Sequence, residues 1–417
     1  MRFLPIAMLG LVSCAPHAVP PASPPAAGVS YAWVVFDGAR VRDSGAAGAA
    51  DRGSGRALTI DDPVRIASIS KLVVALGVLR LAEQGLLDLD QDVSIKLGWP
   101  LRNPAFPDRP ITLRLLLSHR SSFKDDVDYA IPLGRDLQEV LANPVAFDTS
   151  RPPGGYFRYA NVNFPVIASV MERATGERFD RLIDRLVLTP LSLDACFNWS
   201  TCDDSALARA VVLYDDDGSP VRDDLKGRRP TCLVVPNAKG GCDLGDYVPG
   251  TNGALFSPQG GLRISARDLA TVGQLLINRG RHQGRAFLDE ASIDALIKPA
   301  WRFDGSNGET EQGFFCSYGL ATQTLPVPVA GCRDDLFGGG RAMVGHAGEA
   351  YRVRSGLWVD PMSGVGISFF ATNNGTDPPR GRTAFRAVEE WLAAKLGGRQ
   401  RLRSGSEEMK RIHPRLS

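Results

Sequence analysis

Two kinds of proton carrier are scarce in this chain of 417 residues, which has five His and eight Lys against 40 Arg. So few histidines, and the lack of any Cys-x-x-Cys pair, argue against a zinc centre, and no metal or other cofactor is expected. No Gly-x-Ser-x-Gly occurs, which argues against the serine elbow of the α/β-hydrolases. Charge of one sign is missing too. The formal net charge is +2 and the arginines are scattered, so no nucleic-acid partner is expected. What remains is an ordinary globular composition, 44% apolar, 8% aromatic and 23% charged, in a chain long enough for a core divided over two lobes.

The N-terminal apolar run, Phe3 to Val12 behind Arg2, is too short to span a bilayer and suits the core of a signal peptide. It ends in Leu11-Val12-Ser13-Cys14, similar to the lipobox of bacterial lipoproteins. Removal of residues 1–13 and lipidation of Cys14 are therefore expected, with the lipid as the contact to a membrane. Residues 14–28, rich in Pro and Ala, read as an extended tether. Six further cysteines, Cys196, Cys202, Cys232, Cys242, Cys316 and Cys332, form an even set that suits an exported, periplasmic protein. Six thiols leave the connectivity open. Pairing neighbours, 196 with 202, 232 with 242 and 316 with 332, closes three short loops and is the favoured arrangement.

Strand signals lie towards the two ends of the chain. Residues 31–36 and 39–43 flank Asp37-Gly38, a hairpin turn, and 352–359 pairs with 364–372, followed by an amphipathic helix over 383–396. Between them the apolar spacing predicts helices over 113–118, 163–175, 179–186 and 266–277, separated by long Gly/Pro loops. This order predicts an α+β fold over residues 29–397, an antiparallel sheet assembled from N- and C-terminal segments and flanked by helices. The sheet lobe takes about 29–85 and 331–397, with a mainly helical lobe inserted over about 86–330. Residues 398–417 read as a polar, Arg-rich tail.

Ser68 precedes Lys71 by three residues at the head of RIASISKLVVALGVLRLAEQGLL, an apolar helical pattern. Side chains three apart share a helix face, so the amine can reach the hydroxyl, and the free N–H groups of a first turn favour developing negative charge. Ser121 and Lys124 repeat the spacing but run into Asp125-Asp126-Val127-Asp128, a polar stretch read as loop. Two later segments offer partners for a serine nucleophile. Tyr159-Ala160-Asn161 ends a Gly-rich loop before a helix, and His346-Ala347-Gly348 opens a strand. A second His-x-Gly, at His282, lies in a turn between helices and is set aside.

In this order SISK, YAN and HAG resemble the SxxK, YxN and KTG or HxG motifs of the serine β-lactamase and penicillin-binding-protein superfamily. The likeness is to its class C-related branch, which also holds esterases, D-specific peptidases and amide hydrolases. ITLRLLLSHRSSF resembles that branch's LLxHxSG segment and SPQGGLRISARDLATVGQLL its helix entry, so the likeness runs from about Tyr31 to Leu396. The resemblance implies that Ser68 attacks the carbonyl, while Lys71 takes its proton or holds Tyr159 as phenolate. It implies that Tyr159 protonates the leaving group and that Asn161 binds Lys71 and the acyl chain. The backbone N–H groups of Ser68 and Glu349 would form the oxyanion hole.

Two departures matter. His346 stands where class C enzymes carry Lys, so a fixed cation for a substrate carboxylate becomes a weaker, switchable one. Ser122 replaces the Gly of LLxHxSG, next to Arg120, so a turn needing positive φ is expected to be strained or rebuilt. His119 in the same segment is expected to be structural. The expected function is a serine hydrolase of small-molecule or peptide esters or amides. The alternatives are a β-lactamase or D-Ala-D-Ala carboxypeptidase and, in another class, a non-catalytic penicillin- or wall-binding lipoprotein. Oligomeric state is left open.

Overall fold

The computed structural model of the protein describes residues 24–221 and 223–397; Cys14, the signal segment and the 398–417 tail lie outside the described residues. Ser30–Asp37 buries Ala32, Val34 and Phe36 at alternate positions. The Asp37 carboxylate accepts the N–H groups of Ala39 and Arg40 (2.8 Å each) and closes the turn into Val41–Ala47. That second strand runs on past residue 43, with a register shift beside Val35 and Phe36 absorbing the irregular pairing.

Eight strands form one sheet, in the order Trp301–Arg302, Ser317–Tyr318, Gln323–Leu325, Met343–Ala350, Val353–Asp360, Val365–Thr372, Ser30–Asp37, Val41–Ala47. All neighbours are antiparallel, and Ser30 lies opposite Thr372, which joins the N-terminal hairpin to the C-terminal strands. The fold is thus the α+β, β-lactamase-like one. The three strands between 301 and 325 fall in the span read as helical lobe; at two or three residues each they carry too little alternation to be seen in a sequence.

Helix Ala266–Ile277 packs on one face of the sheet, with Ser265 accepting the N–H of Asp268 (3.0 Å) as its cap. Gly273 makes this fit possible, because a Cβ there would stand 2.3 Å from the Phe36 ring. Ala387–Ala393 is shorter than the 383–396 span, because Thr383 is held outside the helix, donating from its N–H (2.9 Å) and hydroxyl (2.8 Å) to Glu390. Ser70–Glu83, expected in the sheet lobe, instead belongs to the helical one: it is buried over almost its whole circumference and packs with Asn163–Thr175 and the following Phe179–Ile183 segment, because its apolar residues run all round the helix. A helix enclosed on every side is a rigid mount for the residues at its head.

Cys196 pairs with Cys202, Cys232 with Cys242 and Cys316 with Cys332, with Cα separations of 5.3, 5.4 and 6.0 Å. Three disulfides mark an exported protein. Among the described residues no helix is long and apolar enough to cross a membrane.

Candidate active site

The turn that carries Ser68 is locked from several directions. Ile66 donates its N–H to Leu262 (3.1 Å), Ser355 donates its hydroxyl to the Ile66 carbonyl (2.8 Å), and Ser70 bonds the Ala67 carbonyl (2.6 Å) and the Leu262 N–H (3.1 Å). Ala67 adopts φ +51°, a left-handed conformation costly for a residue with a Cβ, immediately before the serine. The short 3-10 turn Ala67–Ile69 then runs into helix Ser70–Glu83, so Ser68 sits at the junction and Lys71 one turn in.

Lys71 is fully buried. Its Nζ lies 3.0 Å from Ser68 Oγ, 2.9 Å from Asn161 Oδ1 and 2.8 Å from the Gln259 carbonyl. Burial pushes its pKa from 10.5 down to about 7, against the opposing pull of Asp125 and Glu311. As an ammonium it donates to all three oxygens. As a free amine it donates two N–H groups to Asn161 and Gln259, leaving the lone pair for the Ser68 hydroxyl. Both states are satisfied, as a group that cycles a proton requires.

Tyr159 packs between His119 (4.2 Å between centroids, 27° between planes) and Phe315 (4.5 Å, 14°). Burial, reinforced by Glu311 and Asp125 and only partly offset by the neighbouring Ser68, moves its pKa up. Tyr159 is therefore a neutral phenol at neutral pH, which leaves Lys71 as the group poised to accept a proton.

His346 corrects an expectation. It is buried, with Nε2 2.7 Å from the Tyr318 hydroxyl and Nδ1 against the Ala347 carbonyl. A carbonyl can only accept, so Nδ1 carries the hydrogen and Tyr318 donates to Nε2. Burial and the nearby Lys71 push its pKa down to about 3. His346 is a neutral acceptor that fixes Tyr318, not a cation that switches near neutrality.

Gly348, on the same strand, passes so close that a Cβ would stand 2.3 Å from the Ile66 carbonyl, 2.4 Å from Ser355 Oγ and 3.2 Å from the Ser68 nitrogen. Glu349 follows, its carboxylate paired in two-pronged fashion with Arg354. Ser68, Tyr159, Asn161, His346, Gly348 and Glu349 thus line one cleft of about 950 Å³, with Lys71 buried behind Ser68.

The other sequence matches lie apart from this chemistry. Ser121 donates to Asn163 (2.6 Å) while Lys124 pairs with Asp126, so those two do not meet. His282 sits in a small hairpin, Arg281–His282 with Arg285–Ala286. Ser122 keeps the left-handed turn at φ +68°, steadied by Asn103 donating to its hydroxyl (3.0 Å), so the turn is strained and not rebuilt.

Sequence reading missed several participants. Asp125, dismissed as loop, accepts the Asn161 N–H (2.8 Å) and side-chain amide (3.0 Å) and the Val162 N–H (3.0 Å), fixing the Tyr-x-Asn turn. His119, which the sequence already marked as structural, accepts the Ala160 N–H (3.1 Å) and, with its lowered pKa, holds that turn from behind as a neutral ring. Asp223 ties the long 214–261 segment to the lobe, accepting from Arg263 (2.6 Å), Arg65 (3.3 Å) and Trp199 (3.0 Å).

A buried lysine held on a serine at the head of a core helix, faced by a tyrosine and a strand of the sheet, defines the active-site-serine class built on Ser-x-x-Lys. The beta-lactamase family model matches residues 25–390, and the chain belongs to that family. Among curated relatives, Esterase EstB of Burkholderia gladioli is 31% identical over 198 residues, 42% of this chain and 48% of that protein. The lovastatin esterase of Penicillium rubens is 28% identical over 186 residues, 38% of this chain and 45% of that one. In each case the chain spans less than half the relative's length. Two solved structures share the fold: a class C beta-lactamase from Rhodobacter sphaeroides (TM-score 0.62, 18% identity, 89% of this chain and 94% of that one) and a D-amino acid amidase from Ochrobactrum anthropi SV3 (TM-score 0.59, 20% identity, 90% and 95%).

Proposed function

We propose that the protein hydrolyses ester or amide bonds through an acyl-enzyme on Ser68. The observation that carries this reading is the Lys71 amine, near pKa 7 and 3.0 Å from Ser68 Oγ, with acceptors for its remaining hydrogens. Ser68 Oγ adds to the substrate carbonyl as its proton passes to Lys71 Nζ. The N–H groups of Ser68 and Glu349 face the oxygen that becomes negative. Collapse expels the alcohol or amine, which takes the proton back from Lys71 by way of the Tyr159 hydroxyl. Water, deprotonated by the same amine, then attacks the acyl carbon, and Ser68 leaves with the returning proton.

The neutral His346 supplies no positive charge for a substrate carboxylate, which favours esters and carboxylate-free amides over β-lactams and D-Ala-D-Ala peptides. The names of the two esterases support that order. Lipidation of Cys14, with 14–28 as the tether of a periplasmic enzyme, belongs to the same proposal.

The test is to incubate the purified protein separately with a fluorophosphonate, a p-nitrophenyl ester and a penicillin, and to follow intact mass and turnover beside Ser68→Ala. Ser68-dependent labelling and ester turnover, with slower reaction of penicillin, is expected. Ester turnover that survives Ser68→Ala defeats the proposal, and penicillin adducts without any turnover point to the non-catalytic binding protein.

A further inference from the structure

Resting on that hydrolase reading, we infer that the cleft selects substrates bearing a cationic amine, and that Glu311 is the specificity-determining residue that receives it. The cations around the cleft are already committed. Arg354 is paired with Glu349, Arg65 and Arg263 share Asp223, Lys71 is held by its three oxygens, and His346 is neutral.

The carboxylates are committed as well, with one exception. Asp125 is filled by the N–H groups of Asn161 and Val162, Asp128 accepts the Ala130 N–H (2.8 Å), Asp223 is paired with Arg65 and Arg263, Glu349 with Arg354, and Glu389 accepts the Arg386 N–H (2.9 Å). The Glu311 carboxylate lines the same cleft as Ser68 and makes no hydrogen bond or ion pair among the described residues. Partial loss of water, reinforced by the charges of Glu309, Glu349 and Asp125 and opposed by Lys71, pushes its pKa up to about 7. An arriving cation would relieve that repulsion, whereas a substrate carboxylate would add to it.

The mount of Glu311 is firm. Glu311 and Gln312 both hold left-handed conformations (φ +46° and +62°) in a turn closed by Phe315 and Gly313 N–H groups on the Thr310 carbonyl (2.9 and 3.1 Å). Arg333 N–H on Gly313 (2.9 Å) and the Cys316–Cys332 disulfide tie the turn to the next segment. A carboxylate presented from a fixed backbone loses little freedom when it meets its partner.

Two p-nitrophenyl esters of equal shape separate charge from size: 6-(trimethylammonio)hexanoate and 7,7-dimethyloctanoate. At pH 8 and low salt, the ratio of kcat/KM, cation over neutral, is expected to fall about tenfold from wild type to Glu311→Gln, the size of one charge contact in a partly closed site. Glu311→Lys should lower it further, so that the neutral ester becomes the better substrate. A ratio that neither substitution moves overturns the inference while leaving the hydrolase reading intact. Absence of Ser68-dependent turnover of either ester overturns the hydrolase reading itself, and the inference with it.

Discussion

Replacing Asn161 by Asp puts a carboxylate oxygen where Oδ1 now stands, 2.9 Å from the Lys71 amine, with almost no change in shape. An opposite charge at that distance raises an amine's pKa by about 1–3 units. Starting from about 7, Lys71 would move to roughly 8 to 10. About half of the amine is free at pH 7 in the native protein; in the variant roughly a tenth to a thousandth would be. The value of kcat/KM at pH 7 should therefore fall between about fivefold and several hundredfold, and should recover as the pH is raised towards 10. The change also removes the side-chain amide that donates to Asp125, and repulsion between the two carboxylates favours protonating one of them, which keeps the shift at Lys71 towards the lower end of that range. The assay is the pH profile of kcat/KM for a p-nitrophenyl ester between pH 5 and 10, on protein whose melting curve shows it folded. Three groups of the cleft titrate near 7, Lys71, Glu311 and Glu389, so Glu311→Gln and Glu389→Gln serve as controls; each should keep the acidic limb, which in Glu311→Gln moves slightly to lower pH because a charge that holds the Lys71 pKa up is gone. His346, with its pKa near 3, cannot supply that limb. A limb that stays put in Asn161→Asp, or that vanishes in Glu311→Gln, would refute the assignment of Lys71 as the base.

Two further substitutions probe the frame around Ser68. Gly348→Ala should cost about 1–3 kcal/mol of stability and well over tenfold in kcat/KM, because its Cβ would meet the Ile66 carbonyl and press on the Ser68 nitrogen; an unchanged melting temperature and rate would show that the strand does not approach so closely. Asp223→Asn leaves two buried guanidiniums without their carboxylate, at a cost of about 3–5 kcal/mol, and should expose 214–261 to limited proteolysis; a native-like digestion pattern would contradict that role.

The parts of the molecule that were legible in its sequence are those where one periodicity acts over many residues. Ala266–Ile277 and Asn163–Thr175 follow their apolar spacing end to end, and the Asp37-Gly38 turn marks its hairpin through the side chain of Asp37 itself. The strands between 301 and 325 are too short for alternation, and they take their conformation from the neighbours they pair with. In the site, Ser68, Lys71, Tyr159 and Asn161 were found through spacing and order. Asp125 and Glu311 were not, because Asp125 meets Asn161 and Glu311 shares a cleft with Ser68 only once the chain has folded, and a polar loop looks the same whether or not it clamps the Tyr-x-Asn turn. His346 shows the limit for charge. Its residue type suggests a switch near neutrality, but burial and the nearby Lys71 decide its state, and neither is written in the local sequence.

The account stands on one covalent bond. Mixing the protein with a p-nitrophenyl ester, quenching in acid within the first turnovers and mapping the peptides by mass should find the acyl group on Ser68, in the segment that also carries Lys71. It should accumulate further when Lys71 is replaced by Arg and the sample is given longer to acylate, since water then lacks its base. An acyl group on any other residue, or release of p-nitrophenol at the native rate by Ser68→Ala, would contradict the central claim.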